Sequence, residues 1–169
     1  MARADLDVHL DRIAVLAKEI GYFVPAETKG VTAFRADLAG LLVVTTAASY
    51  ESCVKETLVG YAARHHLAFE KFASNNYRKL NSRININDLH QYAGIFDDVI
   101  ADRFKNILKK RKSSILERAG QNIEQSYRLI LDWRHDFAHA GIRNTTIEEV
   151  VRTHTFARRV LYAFDEAFG

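Results

Sequence analysis

The stretch from Thr32 to Leu80 constrains the fold more than any other part of the chain. No proline and no run of turn residues interrupts it, and its segment Leu38-Ala-Gly-Leu-Leu-Val-Val-Thr-Thr-Ala-Ala48 is apolar almost all round. A helix that is apolar on every side needs neighbours on every side, so it belongs in the middle of a bundle. The β-branched run Val43, Val44, Thr45 and Thr46 suits a strand by propensity. Strands usually span about 3–10 residues, and no turn lies close enough to bound one here. The sequence predicts a long central helix over about residues 33–65.

The flanking segments read as helices too. Residues 5–20 carry Leu6, Leu10, Ile13, Leu16, Ala17 and Ile20 as an amphipathic stripe. Gly21 is the expected stop, residues 22–30 the loop around Pro25, and Thr32 the expected cap of the central helix. Helix continues past His65-His66, with a break, to about Leu80. Residues 81–87 read as a loop in which Asn87 caps a helix over residues 88–112. Ser114 with Glu117 matches a capping box, opening a helical segment that ends at His139, with an irregularity at Gly120. Its apolar face carries Ile123, Tyr127, Ile130 and Phe137. Thr146 with Glu149 matches a second box, and the last helix runs to about Phe168. No repeat or linker divides the chain, so residues 1–169 form one all-α domain.

Composition narrows the function classes. With 48% apolar residues the chain is a folding one, not a disordered one. The single cysteine, Cys53, excludes an internal disulfide framework and a cysteine-based zinc cluster. Its apolar helical setting predicts a buried structural thiol. The apolar run at residues 38–48 is too short to span a bilayer, and the first residues hold no apolar signal core, so a cytoplasmic location is expected. The net charge of +3 is modest but clustered. Arg103, Lys105, Lys109, Lys110, Arg111 and Lys112 crowd one segment, with Arg118 beyond. This cluster reads equally as a seat for a phosphate backbone and as a solvated helix end. Arg143, Arg152, Arg158 and Arg159 add positive charge further on.

The chemistry concentrates in Trp133-Arg-His-Asp-Phe-Ala-His139, closed by Gly141. The chain has no glycine-rich phosphate loop and no nucleophile elbow. Cutting RNA without a metal requires a base for the ribose 2′-OH, an acid for the leaving 5′-oxygen and a cation for the phosphate. Imidazole exchanges protons near neutral pH, and guanidinium offers phosphate a planar fork of donors. Arg134 and His139 are the minimal kit. On one helix, however, five residues separate them by about 140° around the axis. They converge only if His139 sits in a frayed last turn, or if a second copy completes the site across a two-fold axis. His135 shares the face of His139. Without function, the same Arg and His simply suit a helix C-terminus.

Other residues carry two readings each. Asp136 is either a third catalytic group or a partner for Arg134 or a backbone group. Glu51 either orients the Arg or His of the site or pairs with Lys55 on its own helix. His135-Asp136-x-x-His139 has the spacing of a zinc motif but lacks its Glu, and the nearest third ligand is His154. His65 and His66 point apart; His9, His90 and His154 are isolated. Tyr50, Tyr61, Tyr92, Tyr127 and Tyr162 stack bases if exposed and are core otherwise.

Arg134-x4-His139, with polar His135 after the arginine and Gly141 closing the segment, resembles the signature of the HEPN superfamily. The preceding Ala48-Ser-Tyr-Glu-Ser-Cys-Val-Lys55 resembles the helix with an apolar-Glu pattern that comes before the motif helix in that superfamily. The arrangement is most similar to the RiboL-PSP branch. The resemblance implies a HEPN-type helical bundle and a metal-independent endoribonuclease that needs no cofactor. It implies a homodimer that brings its motifs together, and products ending in a 2′,3′-cyclic phosphate. It also implies a role in toxin–antitoxin or antiviral defence, with an antitoxin or sensor protein as a further partner. Catalysis would rest on Arg134, His139 and His135, with Asp136 and Glu51 in support and no metal. Lys109, Lys110, Arg111, Lys112 and Arg143 would contact RNA. A HEPN-type module that only binds nucleic acid or protein is the alternative, and a metal-dependent hydrolase a third.

Overall fold

The computed structural model describes residues 3–80 and 83–169. Among them the chain forms seven helices and no strand: α1 (Arg3–Phe23), α2 (Thr32–His65), α3 (Leu67–Asn76), α4 (Ile86–Phe96), α5 (Asp98–Ala119), α6 (Ile123–Ala140) and α7 (Ile147–Ala167). The β-branched run of α2 is helical, and α2 packs against α1, α3, α6 and α7. Burial by tertiary neighbours outweighs the weak strand preference of Val43 to Thr46. None of the described helices is long and apolar enough to cross a membrane.

Several boundaries differ from the sequence expectation, each for a local reason. Gly21 does not stop α1, which runs on to Phe23. Thr32 is the first residue of α2 rather than its cap, and no side chain caps that end. The break at His65-His66 is real: the His66 Nδ1 accepts from the Ala68 amide and starts α3. That helix ends at Asn76, short of Leu80. The expected loop begins at residues 81 and 82, outside the described residues. Asn85, not Asn87, caps α4, in a reciprocal box with Asp88. Asp97 then breaks the expected helix and caps α5. Ser114 and Glu117 lie inside α5, so they form no box there. Gly120, in the left-handed region at φ 64°, ends α5, and the Asn122 side chain caps α6. At α7 the Thr146 hydroxyl accepts from the Glu149 amide, but the Glu149 carboxylate takes its bond from Thr145 instead.

The core is one contiguous cluster spanning all seven helices. At its centre the rings of Tyr50 and Tyr127 stack 5.3 Å apart and nearly parallel. The Tyr127 hydroxyl donates to the Ile84 carbonyl, tying α6 to the segment before α4. His154 on α7 is buried beside them. Its Nε2 lies 2.9 Å from the Leu10 carbonyl, and its Nδ1 lies 2.9 Å from the Tyr50 hydroxyl. A carbonyl only accepts, so Nε2 carries the proton and Nδ1 accepts from Tyr50. One neutral imidazole therefore joins α1, α2 and α7. Burial pushes its pKa down to about 4, although the Leu10 bond works the other way. Cys53 is likewise buried, and burial lifts its thiol to about 12, which keeps it unionised.

Candidate active site

The motif occupies the C-terminal half of α6. Gly141, at φ 64°, closes the helix with an αL motif: its own amide reaches the Phe137 carbonyl, and the Ile142 amide reaches that of Asp136. Helical geometry persists to Ala140. His139 is therefore not in a frayed turn, which closes the one route to convergence with Arg134 within a single chain. Arg134 is half-buried and flanks α2; His139 and His135 are exposed on the far side of α6. The two imidazoles lie side by side, ring centroids 4.6 Å apart.

Phe137, between them in sequence, points into α2. The antiparallel meeting of α2 and α6 is set there and at the Tyr50–Tyr127 stack. Asp136 does not bond Arg134. Its carboxylate accepts from the Asn144 side chain at 2.9 Å and braces the loop after the motif. Arg143, in that loop, pairs with Asp37 on α2 at 2.5 Å.

Arg134 opens onto a groove of about 530 Å³ between α2, α6 and the chain after α3. Lys55, Arg78 and Lys79 line it with Arg134, and Glu51 is the one carboxylate among them. Glu51 makes no ion pair with Lys55, and none of the four cations is tied to a carboxylate among the described residues. Sequence reasoning missed Lys55, Arg78 and Lys79. The Arg78-Lys79 doublet and the four-residue step from Glu51 to Lys55 were the available signals.

The α5 cations lie elsewhere. Lys112 pairs with Glu124 in the first turn of α6 at 2.8 Å, and His139 is fifteen residues further along, roughly 22 Å by helix rise. Arg111 pairs with Glu166, and Arg103 donates to the carbonyls of Ala167 and Gly169. The cluster sits within α5, not at its end, while Lys109 and Lys110 are exposed.

From the groove toward its own N-terminus, α2 carries a largely apolar row at a spacing of four and three: Phe34, Leu38, Leu41 and Ala48, with Thr45 among them turning its hydroxyl to the Leu41 carbonyl. Phe34 and Leu41 are each 55% exposed, so the central helix is open along one side. The tyrosines do not face solvent as a stacking platform. Tyr50, Tyr127 and Tyr162 are buried, and Tyr61 and Tyr92 are half-buried against other rings. Among the described residues no three His, Cys, Asp or Glu side chains gather as a metal cage. His154, the nearest third ligand by sequence, has both ring nitrogens engaged in the core.

The family model for RiboL-PSP-HEPN matches residues 11–169, covering α6 and nearly all of the bundle. The chain belongs to the RiboL-PSP-HEPN family. Its all-α architecture is that of a HEPN domain. Neither the curated proteins nor the solved structures compared with the chain gave a match. Within this HEPN domain, the motif arginine faces a cationic groove and the motif histidine faces solvent. A HEPN domain so arranged supports a role in binding or cutting nucleic acid.

Proposed function

We propose that this HEPN domain is a metal-independent endoribonuclease that works as a homodimer. The observation that carries the reading is the groove at Arg134, where four cations stand against one carboxylate beside the motif helix. A single-stranded polyanion fits such a groove. Arg134 holds the scissile phosphate with its fork of donors. Lys55, Arg78 and Lys79 neutralise the neighbouring phosphates, and Glu51 steers the Arg134 side chain. His139 moves the protons: it takes one from the ribose 2′-OH, which attacks the phosphorus, or gives one to the departing 5′-oxygen. The products are a 2′,3′-cyclic phosphate and a free 5′-hydroxyl. His135, in ring contact with His139, supports its orientation.

Two features argue for a second copy. Arg134 and His139 diverge by about 140° around α6, so one chain cannot aim both at one phosphorus. The apolar row of α2 runs up to the groove and meets it at Ala48. Covering that row with a partner buries Phe34 and Leu41 and brings a second set of motif residues close. Because such a nuclease must be restrained in a cell, an antitoxin or sensor protein completes the toxin or defence role.

The test is to incubate purified protein with RNA in excess EDTA. The reading expects cleavage that persists in chelator, leaves cyclic phosphate ends and disappears in His139→Ala. Binding without cleavage would transfer the protein to the non-catalytic HEPN modules, and cleavage restored only by added metal would overturn the mechanism.

A further inference from the structure

Arg128, Asp132, His135 and His139 follow one another along α6 at steps of four, three and four residues, so they share one face. At the N-terminal end of this row a cavity of about 210 Å³ opens between α6 and the start of α4. Its walls are apolar: Ile86, Leu131 and the buried ring of Tyr127. Its rim is polar. Asn85 is occupied as the cap of α4, which leaves Asn87, Arg128 and Asp132, two of them on the motif helix. Arg128 and Asp132 are exposed and four residues apart, yet they make no ion pair with each other. A fork of donors and a bidentate acceptor thus stand ready at the mouth of a narrow apolar slot. The slot lies below the ~300–1,000 Å³ usual for drug-sized ligands, which suits one flat ring system.

We propose that this cavity takes a guanine base of the bound RNA, a few nucleotides from the bond that is cut. The proposal rests on the ribonuclease reading and adds to it a residue pair that sets sequence preference. Guanine presents two adjacent donors on its Watson–Crick edge, N1–H and N2–H2, which one carboxylate accepts together. The Asp132 carboxylate supplies that acceptor pair. The Arg128 fork matches guanine O6 and N7. Adenine offers the carboxylate a single donor beside an acceptor nitrogen, and uracil offers one donor between two carbonyls. Ile86 and Leu131 give the ring its apolar contacts. The reach is also right. Asp132 lies about 4.5 Å along the axis from His135 and about 10.5 Å from His139. That is one to three nucleotides of stacked strand at ~3.4 Å each.

The test uses the full chain carrying His139→Ala, so that RNA is not consumed, and labelled hexauridine with one internal base replaced. Anisotropy titrations compare guanine, inosine and adenine at that position. Inosine keeps N1–H and O6 but lacks the N2 amino group. The expected result is that the guanine oligonucleotide binds about tenfold more tightly than the other two, in line with the value of a bidentate base contact. Adding Asp132→Asn, an exposed near-isosteric change, should cut that preference to within twofold. Equal affinity for all three oligonucleotides overturns the guanine pocket while leaving the RNA reading intact. So does a guanine preference that survives Asp132→Asn. If none of them binds, the RNA reading fails and the pocket with it.

Discussion

The ring of Phe137 fills the space that a side chain on Gly40 would need. A Cβ built at Gly40 would lie 2.1 Å from two carbons of that ring. The glycine therefore acts as a notch in the central helix. It lets α6 come down onto α2, and it fixes the height at which Arg134 and His139 flank the contact. Gly40→Ala should gain roughly 1 kcal/mol of helix propensity and lose about 1–3 kcal/mol to overpacking, for a net loss of stability. Phe137→Ala alone should also destabilise. The double variant should lose less than the sum, because the alanine at 40 then meets no ring. Urea melts of all four proteins check this; strict additivity would mean that the notch does not set the helix contact.

His154 makes the fold sensitive to acid. Its folded pKa lies near 4 because burial opposes the charged form, whereas an unfolded chain titrates near 6.5. Between these values the unfolded chain holds a proton that the folded one refuses, so stability falls as pH drops from about 6.5 to about 4. It is undiminished above that window. The loss should approach the order of 3 kcal/mol. Protonation would also turn Nδ1 from an acceptor into a donor facing the Tyr50 hydroxyl. His154→Gln should be less stable at pH 7.5 but should show a flatter pH dependence between 6.5 and 4. Parallel pH curves for the two proteins would remove His154 as the cause.

Much of this was legible in the sequence because burial leaves a periodic trace. The all-α class, the span of α2, the stop at Gly141 and the buried Cys53 follow from apolar spacing and from backbone needs that few residues meet. The caps were less legible. Asn85 and Asn87 are equally good caps on paper, and only the position of Asp88 three residues after Asn85 selects the first. Asp97, midway in a helical pattern, gave no period change to betray a break. The groove was least legible, since its cations come from three places in the chain. Lys55, Arg78 and Lys79 meet Arg134 only after α2, the chain following α3, and α6 have packed. The cation-rich α5, conspicuous in the sequence, instead lies toward the other end of α6, and part of its charge is taken up by Glu124 and Glu166.

The motif variants should separate roles. His139→Ala should lower RNA cleavage by on the order of 10²- to 10⁴-fold, the usual contribution of general acid–base catalysis, with the fold and the dimer unchanged by circular dichroism and light scattering. Arg134→Ala should be as severe. Arg134→Lys should recover only part of the rate, because an ammonium keeps the charge but not the planar fork. His135→Ala should be milder. Cleavage at the wild-type rate in His139→Ala would take that residue out of the reaction.

The dimer can be tested on the apolar row of α2. Leu41→Glu places a charge on an exposed helix position, where it should cost the folded monomer little. If a second copy covers Phe34 and Leu41, the same charge would be buried without a partner, and dimerisation should weaken strongly. Light scattering at micromolar concentration should then shift from dimer to monomer, and cleavage should fall with it. A dimer indifferent to Leu41→Glu would use another face, and a wild type that is monomeric throughout would remove the two-copy site.

The two cationic surfaces make opposite predictions about salt. If RNA lies in the groove at Arg134, each lysine there releases counterions on binding. Lys55→Ala and Lys79→Ala should each weaken RNA binding across sequences and flatten the plot of log affinity against log salt by about 0.7, the single-strand increment per phosphate neutralised. Lys109→Ala and Lys110→Ala, exposed on α5 one turn before the Lys112–Glu124 pair, should leave that slope alone for an oligonucleotide too short to reach them. Long RNA can touch both surfaces, so the comparison uses hexamers with the His139→Ala chain. A slope that changes with the α5 lysines and not with Lys55 or Lys79 would move the RNA path to the α5–α7 side. It would also leave Arg134 without the flanking phosphate contacts on which its proposed role depends.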